Sequence, residues 1–389
     1  MKPLTKIHWE TLRFIHHHGP ASRPDIARQL ALSPATVSTT VRDLLASGWV
    51  TESDYRESHG GRKAALLTLK PDALSAIGVE LGYNRLAVAH VSLNGHIIEQ
   101  RSFTETGPDA AATLDALASA LQALLPQHHQ PTRFAGIAVA VSGIILDGNR
   151  ISRHYPGLPT WDNVPLAQSL EERIGIRPVI LNHASAAAFG EHRFGGWQDA
   201  DHLAYLDMGR GIAVGAVIGG RICAGAHGNA GELGHTAVED NGPLCYCGNR
   251  GCLETFAAPN AILRQYAEAV SREGRAVPPN LTLDDLFRAA ASGDRFAHTL
   301  LAEAGQRLGR ATANLVNLLN PSLLILGGVL TRHQEPLASA FTAILRARIL
   351  PALRDAIRVE ISHLGEQACV LGAAAAMMDS FFGKPWQRA

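Results

Sequence analysis

The stretch that decides the reading of this chain is Gly231-Glu-Leu-Gly-His235, followed ten residues on by Cys245-Tyr-Cys-Gly-Asn-Arg-Gly-Cys-Leu-Glu254. Its ligand spacing is His-x9-Cys-x-Cys-x4-Cys. Three thiolates and one imidazole within 18 residues match a closed tetrahedral zinc site. Gly242, Gly248 and Gly251 allow the sharp turns such a loop needs. The plainer alternative, three reduced core cysteines, is weak because the loop has little apolar content. Four protein ligands leave no open coordination position. His235, Cys245, Cys247 and Cys252 therefore read as one structural zinc per subunit and not as a catalytic metal.

Outward from the loop, apolar strands alternate with helices. Ala76 to Gly95 reads as two strands with turns at Gly82–Arg85 and Asn94-Gly95, and Ile97–Phe103 as a third. A helix over Ala110–Leu125, a buried strand over Phe134–Val141, a short strand over Pro178–Leu181 and an alanine-rich helix through Arg193 follow. A second cycle opens at His202, with strands Leu203–Asp207 and Ile212–Ile218. The last third is helical around a strand Leu323–Leu326 that ends in Gly327-Gly328. Two similar halves of this kind predict an α/β body with a central cleft.

The front end has a different pattern. Ile7, Leu12 and Ile15 define a helix up to His16-His17-His18, which reads as three exposed helix-end residues pointing in different directions. Ser22 caps a second helix over Arg23–Leu30, and Ser33 caps a third from Pro34 to about Ala46. That is a helix-turn-helix whose third helix reads DNA. Ser33, Ala35, Thr36, Ser38, Thr39, Thr40 and Arg42 are small, hydroxylated or basic and suit close approach to phosphates and base edges, while Val37, Val41 and Leu44-Leu45 face the core. Two strands, Trp49–Glu52 and Ala64–Leu69, flank Ser58-His-Gly-Gly-Arg-Lys63. This is a wing whose Arg62 and Lys63 suit a groove of negative potential. Lys70-Pro71-Asp72 is the junction, so the predicted division is 1–70 and 71–389.

Composition agrees with this division. Lys and Arg equal Asp and Glu at 35 each, yet residues 1–70 carry ten basic against six acidic side chains. A basic front on an acidic body fits a local nucleic-acid contact. Five cysteines in 389 residues form no disulfide framework, which implies a reducing, cytoplasmic compartment, with Cys223 and Cys369 as inert buried thiols. No run of 18 apolar residues free of charge or turns predicts a membrane span, and Met1–Phe14 lacks the apolar core of a signal peptide.

The glycine-histidine-cysteine stretch resembles the signature of the ROK family of repressors and sugar kinases. The likeness extends to the strand at Ile77, to Trp161-x-x-Val-Pro-Leu166, to Asn182 and to the Gly327-Gly328 strand end. The added winged helix-turn-helix resembles the repressor branch, the relatives of xylose and N-acetylglucosamine repressors. The resemblance implies a two-lobed, actin-like, sugar-kinase-like body in which Asn182, Glu232, His235 and Glu254 hold a sugar, with His183 beside them. It also exposes three departures from a kinase. Glu80-Leu-Gly82-Tyr-Asn84 stands where the family has Asp-x-Gly-x-Thr, His183 stands in place of the catalytic base, and Met208-Gly-Arg210-Gly211 replaces the Thr-Gly turn. Phosphoryl transfer depends on positioned phosphates, so coordinated loss of these turns implies binding without turnover. The expectation is a sugar- or sugar-phosphate-controlled regulator, a repressor on a double-stranded operator. It would be a homodimer or higher homo-oligomer, with C-terminal helices that include Leu300–Leu319 carrying enough apolar residues to supply an interface. An ATP-dependent sugar kinase with a regulatory DNA-binding domain is the alternative.

Overall fold

The computed structural model describes residues 3–55, 65–82, 85–103, 107–126, 133–146, 151–154, 158, 160–332 and 335–383. Arg62, Lys63 and Asn84 lie outside them. Helices α1 (Lys6–His18), α2 (Arg23–Gln29) and α3 (Pro34–Ala46) pack on strands β1 (Ala21–Ser22), β2 (Val50–Tyr55) and β3 (Ala65–Leu69), which form an antiparallel sheet in the order β1-β3-β2. Both expected caps form. Ser22 Oγ accepts from Asp25 N while the Asp25 carboxylate accepts from Ser22 N, and Ser33 Oγ accepts from Thr36 N at 3.1 Å. Strand β1 has only two residues, too few for a sequence pattern to show.

The body holds two five-stranded sheets of the same topology. The first contains β4 (Leu74–Gly82), β5 (Arg85–Ser92), β6 (Ile97–Phe103), β7 (Arg133–Val141) and, after helix α4 (Ala110–Leu124) and the later α5 (Leu166–Ile174), β11 (Val179–Asn182). Its order is β11-β7-β4-β5-β6, with β4, β7 and β11 parallel. Strands β8 (Ile145–Leu146), β9 (Ile151–His154) and β10 (Asp162–Val164) make a small separate sheet, and Trp161 donates to Ser152 Oγ beneath it. Helix α6 (His183–Phe194) leads to the second sheet of β12 (His202–Asp207), β13 (Ala213–Ile218), β14 (Arg221–Ile222), β15 (Leu323–Gly327) and β16 (Arg358–Ile361). Its order, β14-β13-β12-β15-β16, repeats the first: an antiparallel three-strand meander extended by two parallel strands.

Helices α7 (Glu254–Ala257), α8 (Pro259–Arg272), α9 (Leu283–Ala291), α10 (Arg295–Leu319), α11 (Leu337–Arg348) and α12 (Pro351–Arg354) belong to the second lobe, and α13 (Ala368–Phe381) is the last helix among the described residues. The alternation of strand and helix was therefore a sound guide to an α/β body. One apolar stripe of α10 is spent inside its own lobe. Ala297, Leu301, Ala304, Leu308, Ala311 and Val316 are buried in the lobe's own core, leaving Phe296 and Leu318 outside.

Among the described residues the winged module has no core separate from that of the body. Leu12, Ile15, Ile26, Val37, Val41, Leu44 and Trp49 share one buried cluster with Leu74, Val91, Val370, Ala374, Met378 and Phe382 of the body. Arg133 of β7 lies over the Trp49 ring and donates to Ser47 O. Two local expectations fail here. Thr40 is buried with Val37 and Val41 and is not on the exposed face of α3. His16 is not an exposed helix end either: its side chain is 5% exposed, 2.6 Å from Asp379, and stacked on Phe382. Only His18 of the three is exposed.

Candidate effector cleft and metal centre

The two sheets point the carboxyl ends of their parallel strands at one cavity of about 950 Å³. Glu80 and Gly82 end β4, Asn182 ends β11, Asp207 ends β12, and Gly328 and Ser362 follow β15 and β16; all line it. Ligands in α/β proteins gather at such strand ends. Asn182, His183, Glu232, His235 and Glu254, distant in sequence, all reach this cavity.

Asn182 is also the cap of α6. Its Oδ1 accepts from Ala184 N at 2.9 Å and Ser185 N at 3.3 Å, which leaves its amide NH2 as the group that can donate into the cleft. Glu254 accepts from Ile212 N, and burial raises its carboxyl despite that bond and the nearby His235. Burial and the Glu254 charge push Glu232 up to about 7. A pair of half-buried carboxyl groups of this kind can both donate and accept, as a ligand rich in hydroxyls requires.

His183 sits on the floor with both ring nitrogens engaged. Nε2 is 3.1 Å from Glu80 and Nδ1 is 3.2 Å from Asp207. Glu80 closes one sheet's strand and Asp207 the other's, so the imidazole bridges the two halves. Burial works against its charge. The Cys369 sulfur, Asp207 and Glu80 together outweigh burial and hold the ring well above the usual histidine range. Both ring nitrogens face carboxylates, an arrangement that favours the protonated ring. Arg85 extends the network, 3.6 Å from Glu80 and 3.2 Å from Glu366. Cys369 is a buried thiol, and burial pushes it up to about 11, which keeps it protonated; it also touches His183 and lines the cleft, which the sequence did not indicate. Cys223 is only half-buried.

The metal-loop residues converge. One donor atom from each of His235, Cys245, Cys247 and Cys252 lies within 4.8 Å of every other. The Cys247 and Cys252 sulfurs are 3.7 Å apart, and Cys245 Sγ is 3.6 Å from His235 Nδ1. A tetrahedron with metal–sulfur bonds of about 2.3 Å and metal–nitrogen bonds of about 2.0 Å has edges of roughly 3.8 and 3.5 Å, so the donor set fits such an ion. Two glycines make the fold of the loop possible. At Gly231, φ is +98° and a Cβ would fall 1.8 Å from Val214 O; at Gly251, φ is +70° and a Cβ would fall 1.6 Å from Glu239 O. Tyr246, which the sequence did not single out, stands between two of the cysteines with its hydroxyl 2.9 Å from His235 Nε2. Glu80, Asp207 and Arg85 also escaped as a group, because only the folded sheets bring them together around His183.

The exposed face of α3 presents Ser33, Ala35, Ser38, Thr39 and Arg42 to solvent, with Thr36 half-buried. No helix among the described residues is long and apolar enough to cross a membrane.

A winged helix-turn-helix joined to a duplicated, two-lobed α/β body with a polar cleft defines a class of protein, and the comparisons agree. The chain belongs to the ROK family, which residues 76–380 match, and residues 2–63 match the MarR family. It is 32% identical over 383 residues to the putative xylose repressor of Caldicellulosiruptor sp. (strain Rt8B.4), covering 96% of each chain. It superposes with a TM-score of 0.79 and 28% identity on a ROK family transcriptional regulator that is a homologue of the Escherichia coli MLC protein, covering 97% of this chain and 96% of that one. A ROK family glucokinase from Streptomyces griseus, solved with glucose and AMPPNP, matches with a TM-score of 0.65 and 29% identity over 77% of this chain and 98% of the kinase.

Proposed function

We propose that this chain is a DNA-binding transcriptional repressor of sugar-utilisation genes whose operator affinity is set by a sugar or sugar phosphate in the cleft. Residues 1–70 act as the reading module and 71–389 as the effector-binding body. Ser33, Ala35, Thr36, Ser38, Thr39 and Arg42 of α3 contact the major groove, and Arg62 and Lys63 of the wing contact the flanking backbone or minor groove. Asn182, Glu232, His235 and Glu254 bind the effector's hydroxyls, with His183 at their edge. His235, Cys245, Cys247 and Cys252 hold one zinc. With Nδ1 committed to that ion, His235 Nε2 carries the N–H, which faces the Tyr246 hydroxyl 2.9 Å away at the cleft wall, where an effector hydroxyl would compete for it. The operator is double-stranded and palindromic, read by a homodimer.

The observation that carries this proposal is the engagement of His183 by Glu80 and Asp207. It keeps the sugar cleft polar and closed at its floor while removing the free base that phosphoryl transfer would use. Regulation without catalysis follows, supported by the xylose repressor and regulator likenesses. A thermal-shift screen of sugars and sugar phosphates, run beside an ATP-consumption assay, tests the proposal. We expect at least one compound to raise the melting temperature with no sugar-dependent ATP loss. Sustained ATP turnover would move the chain to the kinase reading.

A further inference from the structure

Two helices begin at the cleft and end on the DNA-reading module. Helix α6 starts with the Asn182 cap and His183 on the cleft floor. In its last turn, Arg193 Nη2 lies 3.0 Å from His16 Nε2 and 3.4 Å from Asp379 Oδ1. Helix α13 starts with Ala368 and Cys369 on the same cleft. It ends with Asp379 bonded to His16, and with Phe381 and Phe382 against Trp9, Trp49 and His16 of the module. Arg193, Asp379 and His16 therefore join α6, α13 and α1 at one point. Burial opposes the Asp379 charge, but the His16 bond and the Arg193 and His17 charges hold that carboxyl below its ordinary range. His16, His17 and Asp379 converge, and the Arg193 guanidinium already lies against His16 and Asp379 there as their positive partner.

The helices are held as one body. A Cβ at Gly372 of α13 would fall 1.7 Å from Ala186 O of α6, and one at Gly190 of α6 would fall 2.1 Å from Ala368 O of α13. A Cβ at Gly215 of β13 would fall 2.0 Å from Ala184 O. Backbones in direct contact pass a displacement on, because a close-packed interior has no slack to absorb it. At about 1.5 Å per residue, the 12 residues of α6 span roughly 18 Å from cleft to node.

Resting on the effector role proposed above, we infer that α6 and α13 form a single relay from the cleft to the reading module. Arg193 and Asp379 are its positioning residues: they fasten α1, and through the shared core α3, in a posture that depends on what occupies the cleft. A ligand that binds the two postures unequally shifts the balance between them.

The test needs no sugar. Hydrogen exchange of the peptide covering α1 is followed in the full chain and in variants. Asn182→Ala removes the α6 cap at the cleft end, and should speed α1 exchange at least threefold. In an Arg193→Ala background the same change should add less than a further 1.5-fold. Asp109→Ala, which removes an equivalent cap from α4, should leave α1 exchange unchanged. Effects at sites this far apart ordinarily multiply independently, so loss of the Asn182 effect on removing Arg193 is the signature of a relay and not of general loosening. If Asn182→Ala does not fold, Ala184→Gly loosens the same turn and replaces it. Unchanged α1 exchange, an undiminished effect without Arg193, or an equal effect from Asp109→Ala overturns the relay. A sugar panel that yields no binder would sink the effector proposal while leaving this result intact.

Discussion

Exchanging His183 for aspartate replaces the imidazole between Glu80 and Asp207 with a third carboxylate. The native ring is 3.1 Å from one acid and 3.2 Å from the other, with Glu80 only 8% exposed. Removing one partner of a buried ion pair costs roughly 3–5 kcal/mol, and here a like charge takes its place. At roughly 2–4 °C per kcal/mol for a large domain, the melting temperature at pH 7.5 should fall by about 6 °C or more. The pH dependence has a definite sign. In the native chain, His183 titrates above its unfolded value, so its contribution is full below about pH 6.5 and lost only as pH rises through the raised value. In the variant, crowding raises at least one carboxyl, so the deficit should shrink at pH 5, where that group takes up a proton. Thermal unfolding followed by circular dichroism at both pH values measures this. The variant should also consume no ATP with any sugar, because a base contributes only to a phosphate that is already positioned. A melting temperature within about 1 °C of the native chain, or ATP turnover, would refute the view of His183 as a fixed charge bridge.

Three further outcomes follow from other parts of the molecule. Elemental analysis of chelator-free protein should find about one zinc per subunit, absent in Cys247→Ala and Cys252→Ala, with the loop over 231–254 losing protection from exchange before the rest of the fold. Gly372→Ala should cost at least 1–3 kcal/mol by forcing α6 and α13 apart, read as a lowered urea midpoint; a neutral result would contradict the backbone contact at Ala186. Arg62→Ala should weaken DNA binding and lower its salt slope by about one, whereas Ser38→Ala should change affinity with less effect on salt dependence.

Much of the architecture was legible because its signals are local. The Ser22 and Ser33 caps, the apolar spacing of α3 and the His-x9-Cys-x-Cys-x4-Cys loop each state their structure within a few residues; the caps form and the four donor side chains of the loop converge. What stayed hidden depends on contacts far apart in sequence. Nothing near His16 indicates that Asp379, 363 positions on, will bury it. Thr40 looks like another exposed hydroxyl until α3 turns it toward the shared core. The apolar residues of α10 carry no mark that separates an internal stripe from an interface. Cys369 reads as a small hydrophobe in an alanine-rich helix, and only the crossing of α13 near α6 sets it beside His183. Strands β1, β8 and β14 are two residues long, below the length at which alternation means anything.

The central claim is that occupancy of the cleft controls DNA binding without chemistry. Fluorescence anisotropy of a labelled duplex, selected from random double-stranded DNA by the unmodified chain, tests it most directly when titrated with and without each sugar and sugar phosphate. We expect one compound to shift the DNA dissociation constant at least tenfold in the native chain, and to lose that effect in Glu254→Gln while duplex affinity without sugar stays the same. An affinity that no sugar or sugar phosphate changes, or a shift that survives intact in Glu254→Gln, would contradict the account.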